Sequence, residues 1–199
     1  MRNLLVLTSA ALLLALTACA TQVERVAPDT VRDLSGSWND TDSRLVAEEM
    51  IADVLSRPWL ESYVRQHGGQ APVVIVGDVR NLSHEHINTR TFISDMERAL
   101  INSGRVQFVA ADAVREQIRD ERADQDLNAS SETRNAMGQE LGADFMLVGT
   151  INTIIDAEGD EAVKFYQVDL KLISMADNRI VWLGQKKIKK FVEHNSLRW

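Results

Sequence analysis

The stretch 163-VKFYQVDLKLISMADNRIVWLGQKKIKKFV-192 decides the fold class. In its first half Tyr166, Val168, Leu170 and Leu172 alternate with Gln167, Asp169 and Lys171. That period of two marks a strand with one buried and one wetted face. The segment "ADNR" (176–179) places Asp-Asn at the centre of a turn. The chain then returns through "IVWLGQKKIKKFV" (180–192), which predicts an antiparallel pair. Just upstream, "ADFMLVGTINTII" (143–155) is a long apolar strand. The three strands together predict a C-terminal meander.

Working outward, "VVIVGDV" (73–79) is short, β-branched and apolar on both faces, as a central strand would be. A helix is expected from Thr41 to Arg57, where Ala47, Met50, Ile51, Val54 and Leu55 share a face and Pro58 stops the run. A second helix is expected from Asn88 to Ser103, with Phe92, Ile93, Met96, Ala99 and Leu100 inward and Gly104 as its stop. "VQFVA" (106–110) is a second strand. Asp112 can cap a polar helix with a thin buried face of Val114, Ile118 and Leu127. A further short helix is expected at 131–141, with Met137 and Leu141 inward and Gly142 at its end. The order αβαβααβββ predicts a single α/β (α+β) domain: a mixed sheet with helices packed on it and an antiparallel C-terminal β-meander. No internal repeat is present.

The N-terminus has a different character. Arg2 precedes an apolar run, Leu4 to Ala18, that is too short for the roughly 20 residues of a membrane span and has the shape of a secretory signal. Leu16-Thr17-Ala18-Cys19 resembles the lipobox of bacterial lipoproteins. That resemblance implies diacylglyceryl transfer to the Cys19 thiol and cleavage just before it. Cys19 is the only cysteine of the chain, so it has no disulfide partner within it. Ala20 in place of Asp implies sorting to the outer membrane, with the domain facing the periplasm. Buried acyl methylenes contribute ~0.8 kcal/mol each. The expected organisation is a lipoprotein signal peptide at 1–18, a lipidated N-terminus and flexible linker at 19–40, and the domain at 41–199. The linker contains Pro28 and Gly36 and shows no sustained period.

The 199 residues carry 22 basic and 29 acidic side chains, a net charge of −7, and loss of Arg2 with the leader makes the mature chain more acidic still. That balance argues against nucleic acid, which demands a basic face. His84-Glu85-His86 invites a metal reading, but two His at i, i+2 need further converging ligands, and His67 and His194 lie in or near loops. A solvent-exposed polar loop is the better reading. Gly68-Gly69 and Gly149 form no phosphate-binding fingerprint, no serine sits in a nucleophile elbow, and the pairs Glu48-Glu49 and Asp160-Glu161 are adjacent acids on expected surfaces. No catalytic set, metal site or cofactor site emerges. Lys186, Lys187, Lys189 and Lys190 form one basic cluster, which reads either as contact with an acidic partner or with anionic glycan or, preferably, as the guard of an edge strand. Trp182 is expected in the core, while Trp38 and Trp199 either dock on the domain or anchor a partner.

Several blocks in one order resemble the LpoB-type lipoproteins, outer-membrane activators of bifunctional penicillin-binding proteins. These are Asn81-Leu82-Ser83, Ile87-Asn88-Thr89, Leu100 through Ser103-Gly104-Arg105 to Phe108-Val109, "LGADFMLVGTI" (141–151), and Ile180-Val181-Trp182 followed by "KKIKKF". The likeness spans about 41–192. It implies a non-enzymatic protein that docks on a small regulatory domain of a peptidoglycan synthase, with outer-membrane lipid as its other partner through Cys19. It does not assign contact residues. The alternatives are another envelope-assembly or secretion-accessory lipoprotein on a similar scaffold, and a cell-wall hydrolase.

Overall fold

The computed structural model describes residues 22–135, 138 and 140–193, without the side chains of Asp112 and Ala113. Leu16, Thr17, Ala18, Cys19, Met137, His194 and Trp199 lie outside the described residues. The chain divides into two units, Met1–Arg32 and Asp33–Trp199. The described part of the first has neither helix nor strand and turns once, where the Thr30 N–H donates to Ala27 O.

In the second unit α1 (Asp40–Ser56) begins at Asn39. Asn39 Oδ1 accepts from the Asp42 N–H at 3.1 Å, and Asp42 Oδ2 accepts from the Asn39 N–H at 2.9 Å, so two orphan donors are satisfied reciprocally. Val46, Ala47, Met50 and Val54 are its buried stripe. Arg57 is extended, as the residue before a proline prefers to be. Pro58 then does more than stop a helix. It opens α2 (Pro58–Gln66) from the first position, where its missing N–H costs nothing. The sequence reading did not anticipate α2.

Strand β1 (Val73–Asn81) leads to α3 (Arg90–Asn102), which buries Phe92, Ile93, Met96 and Leu100. Strand β2 is only Gln107–Phe108, and α4 runs from Asp112 to Asn128. The meander follows: β3 (Phe145–Glu158), β4 (Glu161–Ser174) and β5 (Ile180–Glu193). The β4–β5 turn places Asn178 at φ 61°, a left-handed conformation that Asn tolerates.

The sheet order is β2-β1-β3-β4-β5. Strand β1 is parallel to both its neighbours and β3-β4-β5 are antiparallel, so the mixed α/β domain with a C-terminal meander is what the chain forms. Helices α1 and α3 cover one face, against Leu147, Ile151, Tyr166, Val168, Leu170, Leu172 and Trp182. Two glycines exist for this packing. A Cβ on Gly149 would lie 2.5 Å from Asp169 O of β4, and one on Gly184 would lie 2.7 Å from Met50 Sδ of α1.

Two expectations fail. Helix α4 buries none of its described side chains: Val114, Ile118 and Leu127 are 54%, 40% and 85% exposed, and its N-cap position falls on Ala111 rather than Asp112. Three apolar residues among so many charges cannot offset the desolvation that docking would require. No helix forms among the described residues of 131–141. There Thr133 and Arg134 N–H groups both donate to Ser130 O in a tight turn, and Leu141 is exposed.

Candidate partner surfaces and the N-terminal clasp

The triplet His84-Glu85-His86 lies in the β1–α3 connection. Its three side chains do not converge: His84 and His86 are exposed, while Glu85 turns inward. Glu85 is therefore not part of a solvated loop surface, as the sequence implied. Its Oε1 accepts from Lys164 Nζ at 2.8 Å and lies 2.9 Å from the Tyr166 hydroxyl, and its Oε2 accepts from the Trp38 N–H at 2.9 Å. Burial pushes the Glu85 carboxyl up, but the bonds from Lys164, Trp38 and Tyr166 outweigh it and hold the group below its ordinary value. The loop carrying Glu85 is itself fixed, because Asn81 Nδ2 donates to Glu85 O at 2.7 Å and Ser83 Oγ to Asn81 Oδ1 at 2.6 Å. Thr89 Oγ1 ties the far end of the loop to Val79 O at 3.1 Å.

The same network clasps the segment ahead of α1. The Tyr166 hydroxyl lies 3.1 Å from Gly36 O. Both its neighbours there only accept, so one proton serves the carbonyl and the Glu85 carboxylate in turn. Lys164 Nζ reaches Ser37 Oγ at 3.2 Å. Lys190 Nζ donates to Ser37 O at 3.1 Å and to the buried Asp42 carboxylate at 2.5 Å. Trp38 packs edge-on against Tyr166 at 5.5 Å and donates from Nε1 to Ser43 Oγ. Residues 36–39, assigned to the linker by composition, are thus held against the domain.

The lysine cluster divides by strand alternation. Lys186 and Lys190 point to the helix side and pair with Glu49 (3.1 Å) and Asp42. Lys187 and Lys189 project from the opposite face and form no ion pair among the described residues. Trp182 is in the core as expected, and its Nε1 donates to Asp53 Oδ2 at 2.7 Å.

A cleft of about 540 Å³ opens between α2 and the β4–β5 turn, lined by Trp59, Tyr63, His67, Asp144 and Arg179 among others. Burial, with help from Asp144, pushes the Tyr63 phenol up to about 12, and the His67 ring stacks on Tyr63 at 3.8 Å. The cleft lies at the amino ends of β1 and β3, whereas ligands of open α/β sheets sit at the carboxyl ends. Among the described residues no histidine bonds a hydroxyl or a carboxylate, and no group of three His, Cys, Asp or Glu stands together as metal ligands do. Among them, too, no helix is long and apolar enough to cross a membrane.

The pattern of the family described as peptidoglycan-synthase activator LpoB matches residues 42–188. The chain belongs to the LpoB family. That family consists of regulatory activators rather than enzymes. The match runs from the second residue of the capping box, Asp42, to Ile188 in β5, and so spans the clasp network apart from residues 36–39 and Lys190. No curated protein matches the chain. Among solved structures, it is similar to lipoprotein GNA1162 from Neisseria meningitidis (18% identity over 61% of this chain and 84% of that one, TM-score 0.39). It is also similar to the LpoB C-terminal domain from Escherichia coli (18% over 67% and 100%, TM-score 0.34). The PelC dodecamer from Paraburkholderia phytofirmans is a third (14% over 61% and 73%, TM-score 0.35). Membership of the LpoB family rests on the sequence pattern alone.

Proposed function

We propose that the chain is an outer-membrane lipoprotein, held by acylated Cys19 with its domain in the periplasm, that binds the regulatory domain of a bifunctional penicillin-binding protein and raises its rate of peptidoglycan synthesis. The family match over residues 42–188 carries this reading. Activation of that kind requires tighter binding to the active conformer of the synthase than to its resting one. The clasp supports a role that starts at a membrane, since it fixes where the chain leaves the folded domain. The test mixes the chain starting at Ala20 with each bifunctional synthase of the same organism and follows lipid II polymerisation. A severalfold acceleration of one synthase is expected. No acceleration and no binding across the whole set would overturn the reading in favour of another envelope-assembly role.

A further inference from the structure

Strand β5 is the last strand of the sheet, paired with β4 and, among the described residues, with no strand on its other side. The pairing with β4 is continuous from Trp182 to Glu193, with one irregularity near Val181. No proline interrupts the strand, and among the described residues no backbone or side-chain group bonds its outward N–H and C=O groups from 182 to 193. A long, regular, unpaired edge is a template for one more strand.

The charges along it say which strand. Lys187 and Lys189 sit opposite Gln167 and Phe165 of β4, so neither has an anion across the ladder, and the inward lysines are occupied by Glu49 and Asp42. Two cations at i, i+2 on one face, without an ion pair among the described residues and flanked by exposed Leu183 and Phe191, stand out on a chain of net charge −7. A second copy pairing edge to edge through this region would bring lysine stripe against lysine stripe, which like-charge cross-strand contact disfavours. An extended acidic segment would place its carboxylates opposite them. The lysines that guard the edge against self-pairing therefore select what it accepts.

We infer that the free edge of β5, from Trp182 to Glu193, binds an extended acidic segment of a partner protein by strand addition, with Lys187 and Lys189 reading its charge. The surface rests on the synthase reading only for the partner's identity. The experiment below contains no synthase, so the two fail separately.

The probe is a capped nine-residue peptide alternating Thr and Glu, fluorescently labelled and titrated into the full-length chain in detergent micelles. Its controls replace Glu by Lys, or N-methylate every second amide to block the ladder. The acidic peptide should bind at least about tenfold more tightly than either control and slow hydrogen exchange of the outward amides of 182–193. Lys187→Glu with Lys189→Glu, whose thermal unfolding should match the parent, should reverse the preference and favour the lysine peptide. Equal binding of all three peptides, no binding at all, or an unchanged preference in the double variant would overturn the assignment. So would a dimer of the unmodified chain whose exchange protection maps to 182–193, which would give the edge to a second copy.

Discussion

Lys190 Nζ stands 2.5 Å from the carboxylate of Asp42, joining the last strand to the first turn of the first helix across 148 residues of chain. Asp42 is 3% exposed and also closes the α1 capping box. Breaking a buried pair from one side leaves an uncompensated charge, which costs about 3 kcal/mol or more. Lys190→Met should therefore cost that much in urea unfolding, and Asp42→Asn with Lys190→Met should cost less than the sum of the singles. Additive losses would mean the two side chains do not act as a pair.

Glu85 gives the fold an acid dependence with a definite sign. Its folded-state carboxyl lies below its ordinary value of 4.5, so its stabilisation is fully present above that pH and is lost as pH falls through the folded value. Glu85→Gln should lose about 1–3 kcal/mol at neutral pH. The gap between parent and variant should close as pH is lowered below about 4.5. Parallel stability curves down to about pH 3 would show that Glu85 does not titrate as its bonds require.

At Gly184 an added methyl would lie 2.2 Å from Trp182 Cζ2 and 2.7 Å from Met50 Sδ. Gly184→Ala should cost about 1–3 kcal/mol by overpacking and change Trp182 fluorescence. Gly142→Ala, where nothing lies within 4 Å, is the control and should be close to neutral in the same thermal scan.

Helix α4 carries a helical apolar pattern without a buried face. Val114→Ser and Ile118→Ser should each change stability by no more than about 0.5 kcal/mol, whereas Met96→Ala in α3 should cost about 2–5 kcal/mol. Losses at Ile118 comparable to those at Met96 would mean that α4 packs.

For the anchor, Cys19→Ala should leave the domain's circular dichroism and melting unchanged while moving the protein out of the outer-membrane fraction. Retention in that fraction would remove the lipidation proposal.

The meander was legible because Tyr166, Val168, Leu170 and Leu172 alternate without interruption, and a two-residue period has no helical competitor. Helix α3 was legible for the matching reason. Helix α2 is hidden in the sequence because Pro58 reads first as a terminator, although Trp59, Leu60, Tyr63 and Val64 behind it carry helical spacing. The expected helix at 131–141 does not form among its described residues, where Ser130 O instead accepts the Thr133 and Arg134 N–H groups in a local turn. The clasp was not legible at all. Glu85 meets Lys164 and Tyr166 only once β1 and β4 share a sheet, and nothing near residue 85 encodes partners some 80 positions away. The lysine cluster was half legible: strand alternation predicts two faces, but only Asp42 and Glu49 reveal which pair is spoken for.

The clasp also determines how the domain bears load. A pull on the chain ahead of Asp33 reaches Gly36, Ser37 and Trp38 before it reaches α1. These residues are held side by side by Tyr166, Lys164, Lys190 and Glu85. Tension is thus shared among several bonds at once and passed into two adjacent strands of the sheet. Helix α1, whose own hydrogen bonds would otherwise peel one after another from the first turn, is shielded from the strain. In mechanical terms the segment at 36–38 works like the knot behind a button.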